Sequence, residues 1–203
     1  MNTLHCIIPV PAHAEEHGGK LPISSIRSFS VAEDCPDYAA EMLSRLAQSL
    51  MMPWRQTPQG DLRVCLDESL GDEGWAIDVS PERVLVTGGK AGLRYALEAF
   101  TQMLMAAVSE EPKNAALDCG HIQDEPRFQW RGLLLDSSRH FQRPDAVKAV
   151  IRLMAHFRLN KLHWHLIDNQ GFRLPSRTFP KANSLDTLSG GCYTVAEMQD
   201  IEA

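Results

Sequence analysis

The sequence predicts two parts of different fold class. The first is an α+β N-terminal domain, an antiparallel sheet covered by helices, running to about residue 125. The second is a parallel strand–helix–strand unit that begins near residue 126. Three observations support this division. Short strands follow one another with two helical stretches among them, the α+β pattern and not the strict alternation of an α/β chain. Arg131 to Asp168 reads as strand, helix, strand in a length that suits a parallel βαβ crossover. The charge also changes sign between the parts: residues 1–125 carry 9 Lys/Arg against 19 Asp/Glu, net −10, and residues 126–203 carry 11 against 7, net +4.

Residues 1–20 read as irregular, with HAEEHGGK as a polar, glycine-containing loop. His5, His13 and His17 lack the spacing of a metal-ligand set. Ile23, Ile26, Phe29 and Val31 suggest a strand or two short extended pieces. A helix starts near Pro36 or Asp37, with Tyr38, Met42, Leu43, Leu46 and Leu50 on its apolar face, and Pro53 stops it. Leu62, Val64 and Leu66 alternate with polar residues, as do Trp75, Ile77 and Val79. The second of these pairs through a turn at Ser80–Arg83 with Val84–Val86, forming a hairpin. A long helix follows from about Ala91 to Val108. Gly88-Gly89-Lys90 before it departs from the phosphate-loop pattern, because Ala91 stands where Ser or Thr is needed and the upstream glycine is missing. It reads as a glycine turn into a helix. Residues 109–127 read as a linker. Asp124-Glu125 and Asp72-Glu73 are adjacent acid pairs, and both fall in a linker or turn instead of at a strand's carboxyl end.

In the second part, Leu133, Leu134 and Leu135 form an apolar run ending in Asp136, the signature of a strand buried on both faces. Pro144 opens a helix at a position where its missing N–H costs nothing. Val147, Val150, Ile151, Met154 and Phe157 give that helix one apolar stripe. A second strand is predicted over Leu162–Asp168. Polar residues gather just past both strands: Asp136, Ser137, Ser138, Arg139 and His140 after the first, Asp168, Asn169 and Gln170 after the second. Parallel α/β folds bind their ligands at such ends. By spacing alone, Arg139 is equally an ion-pair partner of Asp136 or a ligand-binding donor. His163 and His165 share one strand face, which admits a second reading, a metal-dependent barrel hydrolase. Against it, the pair is expected inside the strand and no third ligand is evident. After Pro175 and Pro180 comes a glycine-rich loop to Gly191, then a capping box of Thr194 and Glu197 opening a short helix.

RGLLLDSSRHF followed by LNKLHWHLIDNQGFR resembles the start of the catalytic barrel of glycoside hydrolase family 20, the β-N-acetylhexosaminidases. The resemblance is dense over residues 127–180. GWAIDVSPERVLVTGGKAGLRYALEAFTQML is similar to the small domain that precedes that barrel. The resemblance implies that the second part is the first βα units of an incomplete TIM (β/α)8 barrel, since a whole barrel takes about 250 residues and 126–203 is far shorter. It implies hydrolysis of terminal β-linked N-acetylglucosamine or N-acetylgalactosamine, in which the sugar's own 2-acetamido oxygen attacks the anomeric carbon. An adjacent Asp-Glu pair orients that group and supplies acid–base catalysis. This pair is expected beyond Ala203, so the chain alone is expected to be inactive, and a non-catalytic remnant or carbohydrate-associated domain is the alternative. Within the chain the resemblance assigns substrate binding to Arg139, whose planar fork suits sugar hydroxyls, and to Asp168, which supports a histidine–acid network. Asn169 and Phe172 depart from the family pattern, which has a second acid and a tryptophan at those places. No cofactor is implied, and the expected partner is a glycan or oligosaccharide containing N-acetylhexosamine.

Composition narrows the partners further. The net charge of −6 and the absence of a basic run argue against nucleic acid. No stretch is long and apolar enough to span a membrane. Five scattered cysteines, an odd number without a CxxC pair, read as reduced thiols. With no signal peptide legible at the N-terminus, a cytoplasmic location is expected.

Overall fold

The computed structural model describes residues 2–183 and 191–202. Most of the glycine-rich loop expected before Gly191 lies outside them. Two compact units are present, Met1–Arg127 and Phe128–Ala203.

The first unit is built on a seven-stranded sheet. In chain order its elements are β1 (His13–Pro22), β2 (Ser28–Val31), helix α1 (Tyr38–Ser49), β3 (Arg55–Gln56), β4 (Leu62–Leu66), β5 (Trp75–Val79), β6 (Val84–Gly88), helix α2 (Gly92–Glu110) and β7 (Ala116–Asp124). The strands lie in the order β1-β7-β5-β6-β4-β2-β3. The α+β class holds, with one correction: the sheet is mixed, not antiparallel throughout. The expected hairpin β5–β6 is antiparallel, as are β5–β7 and β1–β7. The pairs β4–β6, β2–β4 and β2–β3 are parallel. The reason is connectivity: α1 carries the chain from β2 to β3, and a helical crossover returns a strand in the same direction, whereas β4 and β6 are parallel because the chain reverses twice between them, into β5 and out of it.

Alternation places one face of side chains inside. Ile122, Ile77, Val86 and Val64 form a buried cross-strand row, and Phe29 is buried opposite Leu62. Helix α2 contributes a broad buried face of Leu93, Ala96, Leu97, Phe100, Met103 and Leu104. Helix α1 buries Ala39, Leu43 and Ala47. The glycine turn before α2 serves close packing. A Cβ on Gly89 would stand 1.8 Å from the Gly71 carbonyl oxygen, and one on Gly92 would stand 2.0 Å from that of Gly74. Asp72 and Glu73, set aside as catalytic candidates, support this corner: the Asp72 carbonyl accepts the Ala91 and Gly92 amides, and Tyr95 donates its hydroxyl to Glu73 Oε1 at 2.8 Å.

Two stretches read as irregular are strands. Residues 13–22, expected as loop, form the edge strand β1, and much of the expected linker 109–127 is β7, which lies between β1 and β5. The edge position explains the first difference, because a strand with one neighbour and mostly solvated side chains needs no apolar alternation. His17, Gly18 and Gly19 also bulge out of the pairing: Glu16 faces Gly120 and Lys20 faces Asp118, so three residues of β1 oppose one of β7. Gly18 and Gly19 sit at φ +73° and +87°, where glycine is favoured. In β7 the apolar residues Leu117, Cys119 and Ile122 slip phase at Gly120, whose missing Cβ makes room for the Glu15 carbonyl. Asp124 therefore ends a strand, and its Oδ1 accepts the Ala12 amide at 3.0 Å.

Two carboxylates tie parts of this unit together, and they are expected to contribute to its acid sensitivity. Asp61 Oδ2 accepts the Arg27 amide at 2.9 Å and the Ser28 amide and hydroxyl. These bonds, the Arg27 amide foremost, hold its carboxyl below the usual range. Asp118 is pushed upward by partial burial, but the Thr3 amide and Lys20 outweigh this and leave it lowered. A carboxyl with a depressed folded-state pKa contributes stability above its ordinary pKa of about 4 and loses it as pH falls through the lowered value. Urea unfolding of the chain should therefore shift to lower denaturant between pH 5 and pH 2, and Asp61→Asn should flatten that dependence. An unchanged slope in Asp61→Asn would show that Asp61 is not a source of it.

The second unit holds β8 (Gly132–Asp136), helix α3 (Pro144–His156), β9 (Lys161–His165), β10 (Ile167–Asp168), β11 (Gly171–Phe172) and helix α4 (Val195–Glu202). β8 and β9 are parallel, with Gly132 opposite Lys161 and Asp136 opposite His165. Pro144 stands at the first turn of α3. The Thr194–Glu197 capping box is present: Glu197 donates its amide to Thr194 Oγ1 at 3.1 Å and accepts the Thr194 amide at 2.7 Å. Two expectations are corrected. The second strand ends at His165, and Asp168 belongs to a tight β10–β11 hairpin that follows it. β8 is not buried on both faces, since Leu134 is 57% exposed. Among the described residues β8 has β9 as its one sheet neighbour.

Candidate active site

The site is assembled where β8 and β9 end. β8 delivers Asp136, and the chain then turns through Ser137 and Ser138 to Arg139. β9 delivers His165, and the β10–β11 hairpin returns Asp168 beside it. Parallel register brings Asp136 and His165 level, and the amides of Ser137 and Ser138 both donate to the His165 carbonyl at 3.0 and 3.1 Å. Those two bonds end the ladder and fasten the first loop to the second strand.

Arg139 bridges the two strand ends. Its Nη1 donates to Asp136 Oδ2 at 2.6 Å and its Nη2 to Asp168 Oδ2 at 2.5 Å. The ion pair with Asp136 that spacing suggested is thus present, and Asp168 makes a second. The guanidinium carries five N–H donors. Two are used on the carboxylates, and the other three make no hydrogen bond within the described residues. The side chain is more than half exposed, and the two ion pairs hold its plane.

The carboxylates are themselves held. Asp136 Oδ1 accepts the amides of Ser138 and Arg139, both at 3.0 Å. The Arg139 amide, followed by its guanidinium, keeps the Asp136 carboxyl below the ordinary range. Asp168 Oδ1 accepts the Asn169 amide at 2.7 Å and Oδ2 lies 3.0 Å from His165 Nε2. That amide and the histidine lower Asp168 in the same way. The guanidinium is correspondingly raised, first by its bond to Asp136. The cluster is a positive fork stabilised by two ionised carboxylates.

His165 stands at the mouth of its strand and not inside it, which corrects the expectation for the His163–His165 pair. The rings are 6.1 Å apart and His163 is exposed. Among the described residues no group of three or more His, Cys, Asp or Glu side chains is placed to hold a metal ion. No adjacent Asp-Glu pair stands at the end of β8 or β9.

Sequence reasoning missed the support beneath the cluster. Ser137 and Ser138 are fully buried. Trp164 Nε1 donates to Ser137 Oγ at 2.9 Å, and Tyr193 Oη lies 3.1 Å from the same oxygen and also contacts the Gln142 carbonyl. A carbonyl only accepts, so the single Tyr193 proton goes to Gln142 and Ser137 donates to Tyr193. Ser138 Oγ donates to the Gly171 carbonyl at 2.7 Å. Arg173 is buried among backbone carbonyls. In the sequence, Ser137, Ser138, Trp164 and Arg173 lie within the two quoted motifs, but no periodicity marks them or Tyr193 as a buried support.

A parallel βα unit with a charged, hydrogen-bonded cluster at its strand ends defines a member of the α/β proteins that bind ligands at that end. Comparison with known proteins then names the family. The model described as glycosyl hydrolase family 20, domain 2, matches residues 5–125, and the one described as glycosyl hydrolase family 20, catalytic domain, matches residues 128–202. The chain belongs to glycosyl hydrolase family 20. It is 33% identical over 213 residues to the β-N-acetylhexosaminidase of Cellulomonas fimi, covering 96% of this chain and 42% of that protein. It is 31% identical over 196 residues to the β-hexosaminidase of Akkermansia muciniphila, covering 90% of this chain and 39% of that protein. The chain thus spans about two fifths of the length of these relatives. Among solved structures, the family 20 β-N-acetylhexosaminidase from Streptomyces coelicolor A3(2) superposes with a TM-score of 0.85 at 33% identity, covering 98% of this chain and 43% of that one.

Proposed function

We propose that the protein acts as a β-N-acetylhexosaminidase on terminal, non-reducing β-linked N-acetylglucosamine or N-acetylgalactosamine. Arg139 binds hydroxyls of that sugar, and Asp168 braces Arg139 and His165. One observation carries the reading: the Arg139 fork is clamped by Asp136 and Asp168 at the ends of β8 and β9, with its side chain more than half exposed and three N–H donors left over. A planar set of donors with its rotamer already fixed suits neighbouring hydroxyl oxygens, and little ordering entropy is left to lose on binding. The family and the named relatives support the acetamido-sugar substrate. In the proposed reaction the substrate's acetamido oxygen attacks the anomeric carbon as an Asp-Glu pair orients it and protonates the leaving oxygen; water then opens the intermediate with retention. Neither β8 nor β9 offers that pair. A cytoplasmic location, read from the scattered cysteines, belongs to the same proposal.

The test is hydrolysis of a chromogenic N-acetyl-β-glucosaminide. The protein produced from its native gene should turn it over and should leave the matching β-glucoside, which lacks the acetamido group, essentially untouched. The isolated 203-residue chain should give little or no turnover. Equal rates on both sugars would overturn the acetamido mechanism, and turnover that tracks the purified 203-residue chain would overturn the assignment of acid–base catalysis to residues outside it.

A further inference from the structure

We infer that Arg173 is a positioning residue for this site: its buried guanidinium sets the Ser137–Ser138 turn that aims Asp136 and Arg139. The inference rests on the reading of Arg139 as the sugar-binding arginine, and Arg173 itself does not reach the sugar.

Arg173 follows the β10–β11 hairpin and is 0% exposed, an unusual place for a charged side chain. Its Nε donates to the Ser137 carbonyl at 2.9 Å and its Nη2 to the Ser138 carbonyl at 2.7 Å. Its Nη1 donates to the Gly191 carbonyl at 2.9 Å. The planarity of the peptide bond turns these contacts into aim. In a trans peptide the C=O of one residue and the N–H of the next point in opposite directions. Drawing the Ser137 carbonyl onto Arg173 therefore turns the Ser138 amide the other way, and drawing the Ser138 carbonyl onto Arg173 turns the Arg139 amide the other way. Those are the two amides that Asp136 Oδ1 accepts, the Ser138 amide being shared with the His165 carbonyl and the Arg139 amide going to Asp136. A single planar fork thus orients, through two peptide planes, both donors that fix the Asp136 carboxylate, and that carboxylate fixes the Arg139 guanidinium.

Two further features fit this role. A Cβ on Gly171 would stand 2.6 Å from Arg173 Nη2 and 2.6 Å from the Ser138 carbonyl oxygen, so the hairpin leaves the approach open with a glycine. The Arg173 backbone is held from both sides, its amide donating to the Leu166 carbonyl and its carbonyl accepting the Tyr193 amide, each at 3.0 Å. Lysine does not replace this arrangement, because a point ammonium cannot present coplanar donors to two successive carbonyls.

The experiment compares the 203-residue chain with its Arg173→Met and Arg173→Lys variants by NMR. Amide hydrogen exchange is read at Ser138 and Arg139 and, as the internal reference, at Leu133 and Leu135 in β8. The pH titration of the Asp136 carboxyl carbon is followed in parallel. In Arg173→Met the two turn amides should exchange roughly tenfold faster with the strand amides unchanged, and Asp136 should titrate at higher pH. Arg173→Lys should fall between that variant and the parent. Unchanged turn amides overturn the inference. So does an equal acceleration of turn and strand amides in both variants, which would make Arg173 a general support. If Arg173→Met does not fold, Arg173→Lys is judged by the same two criteria. The sugar-binding role of Arg139 is measured apart, by N-acetylglucosamine affinity in Arg139→Ala. Unchanged affinity there with a loosened turn in the Arg173 variants would remove the sugar reading and leave the positioning role standing.

Discussion

Phe100→Ala is expected to lower the stability of the first unit by about 3–5 kcal/mol, against a total of roughly 5–15 kcal/mol for a typical domain. Phe100 is 0% exposed and lies on α2 in one apolar cluster with Trp75, Ile77, Val86 and Leu104. Truncation removes the transfer free energy of the ring and leaves a cavity. The sheet and α2 cannot collapse around it, because Gly88, Gly89 and Gly92 already hold the helix start in backbone contact with its neighbours. Leu153 on α3 supplies the contrast. It is 57% exposed, so Leu153→Ala should change stability by no more than about 0.5 kcal/mol. Urea denaturation of both variants measures the difference. Comparable losses for the two would mean that burial in the first unit is not what holds it.

The second large effect is expected at Arg139. Arg139→Ala should weaken binding of N-acetylglucosamine by roughly tenfold to a hundredfold, the range for hydrogen bonds from a charged donor. Arg139→Lys should recover little of it, because the ammonium lacks the coplanar donors that face solvent. The same substitution leaves the Asp136 and Asp168 carboxylates facing each other without their shared cation. In the parent the Arg139 amide, which alanine keeps, and then the guanidinium bond hold Asp136 low, whereas the Asn169 amide and His165 are the main causes at Asp168 and are untouched by the substitution. Asp136 should therefore rise more than Asp168, and protonation of the cluster should begin at higher pH in the variant. Titration calorimetry across pH reads both effects, and an Arg139→Ala affinity equal to that of the parent would remove Arg139 from the sugar site.

Much of the candidate site was legible because it is local. Asp136 and Arg139 lie three residues apart just past an apolar run, and Asp168 lies three residues from His165. Such spacings place groups together whatever the rest of the chain does. The capping box of Thr194 and Glu197 was legible for the same reason. The support layer was not. Arg173, Ser137, Ser138, Trp164 and Tyr193 meet only after β8 and β9 pair and the hairpin turns back, and no short-range pattern separates a buried arginine from a solvated one. The edge strand β1 and the strand β7 were hidden for a related reason. The alternation of β1 is interrupted by its glycine bulge and that of β7 slips at Gly120, and the strands gain their order from paired backbones more than from apolar side chains.

The sequence by itself determined the helices α1, α2 and α3, the β5–β6 hairpin, the βαβ unit and the family, because each rests on periodicity, turn chemistry or a contiguous motif. Only the tertiary structure decided that the sheet is mixed, that residues 13–22 and 116–124 pair, and that Arg139 is clamped from two strands at once. Those features depend on which backbone donors and acceptors meet between strands far apart in the chain, as in β1–β7 and the parallel pairs of the first sheet, or across the β8–β9 pair. Pairing of that kind is set by the register of whole strands and the demand that buried polar groups be satisfied.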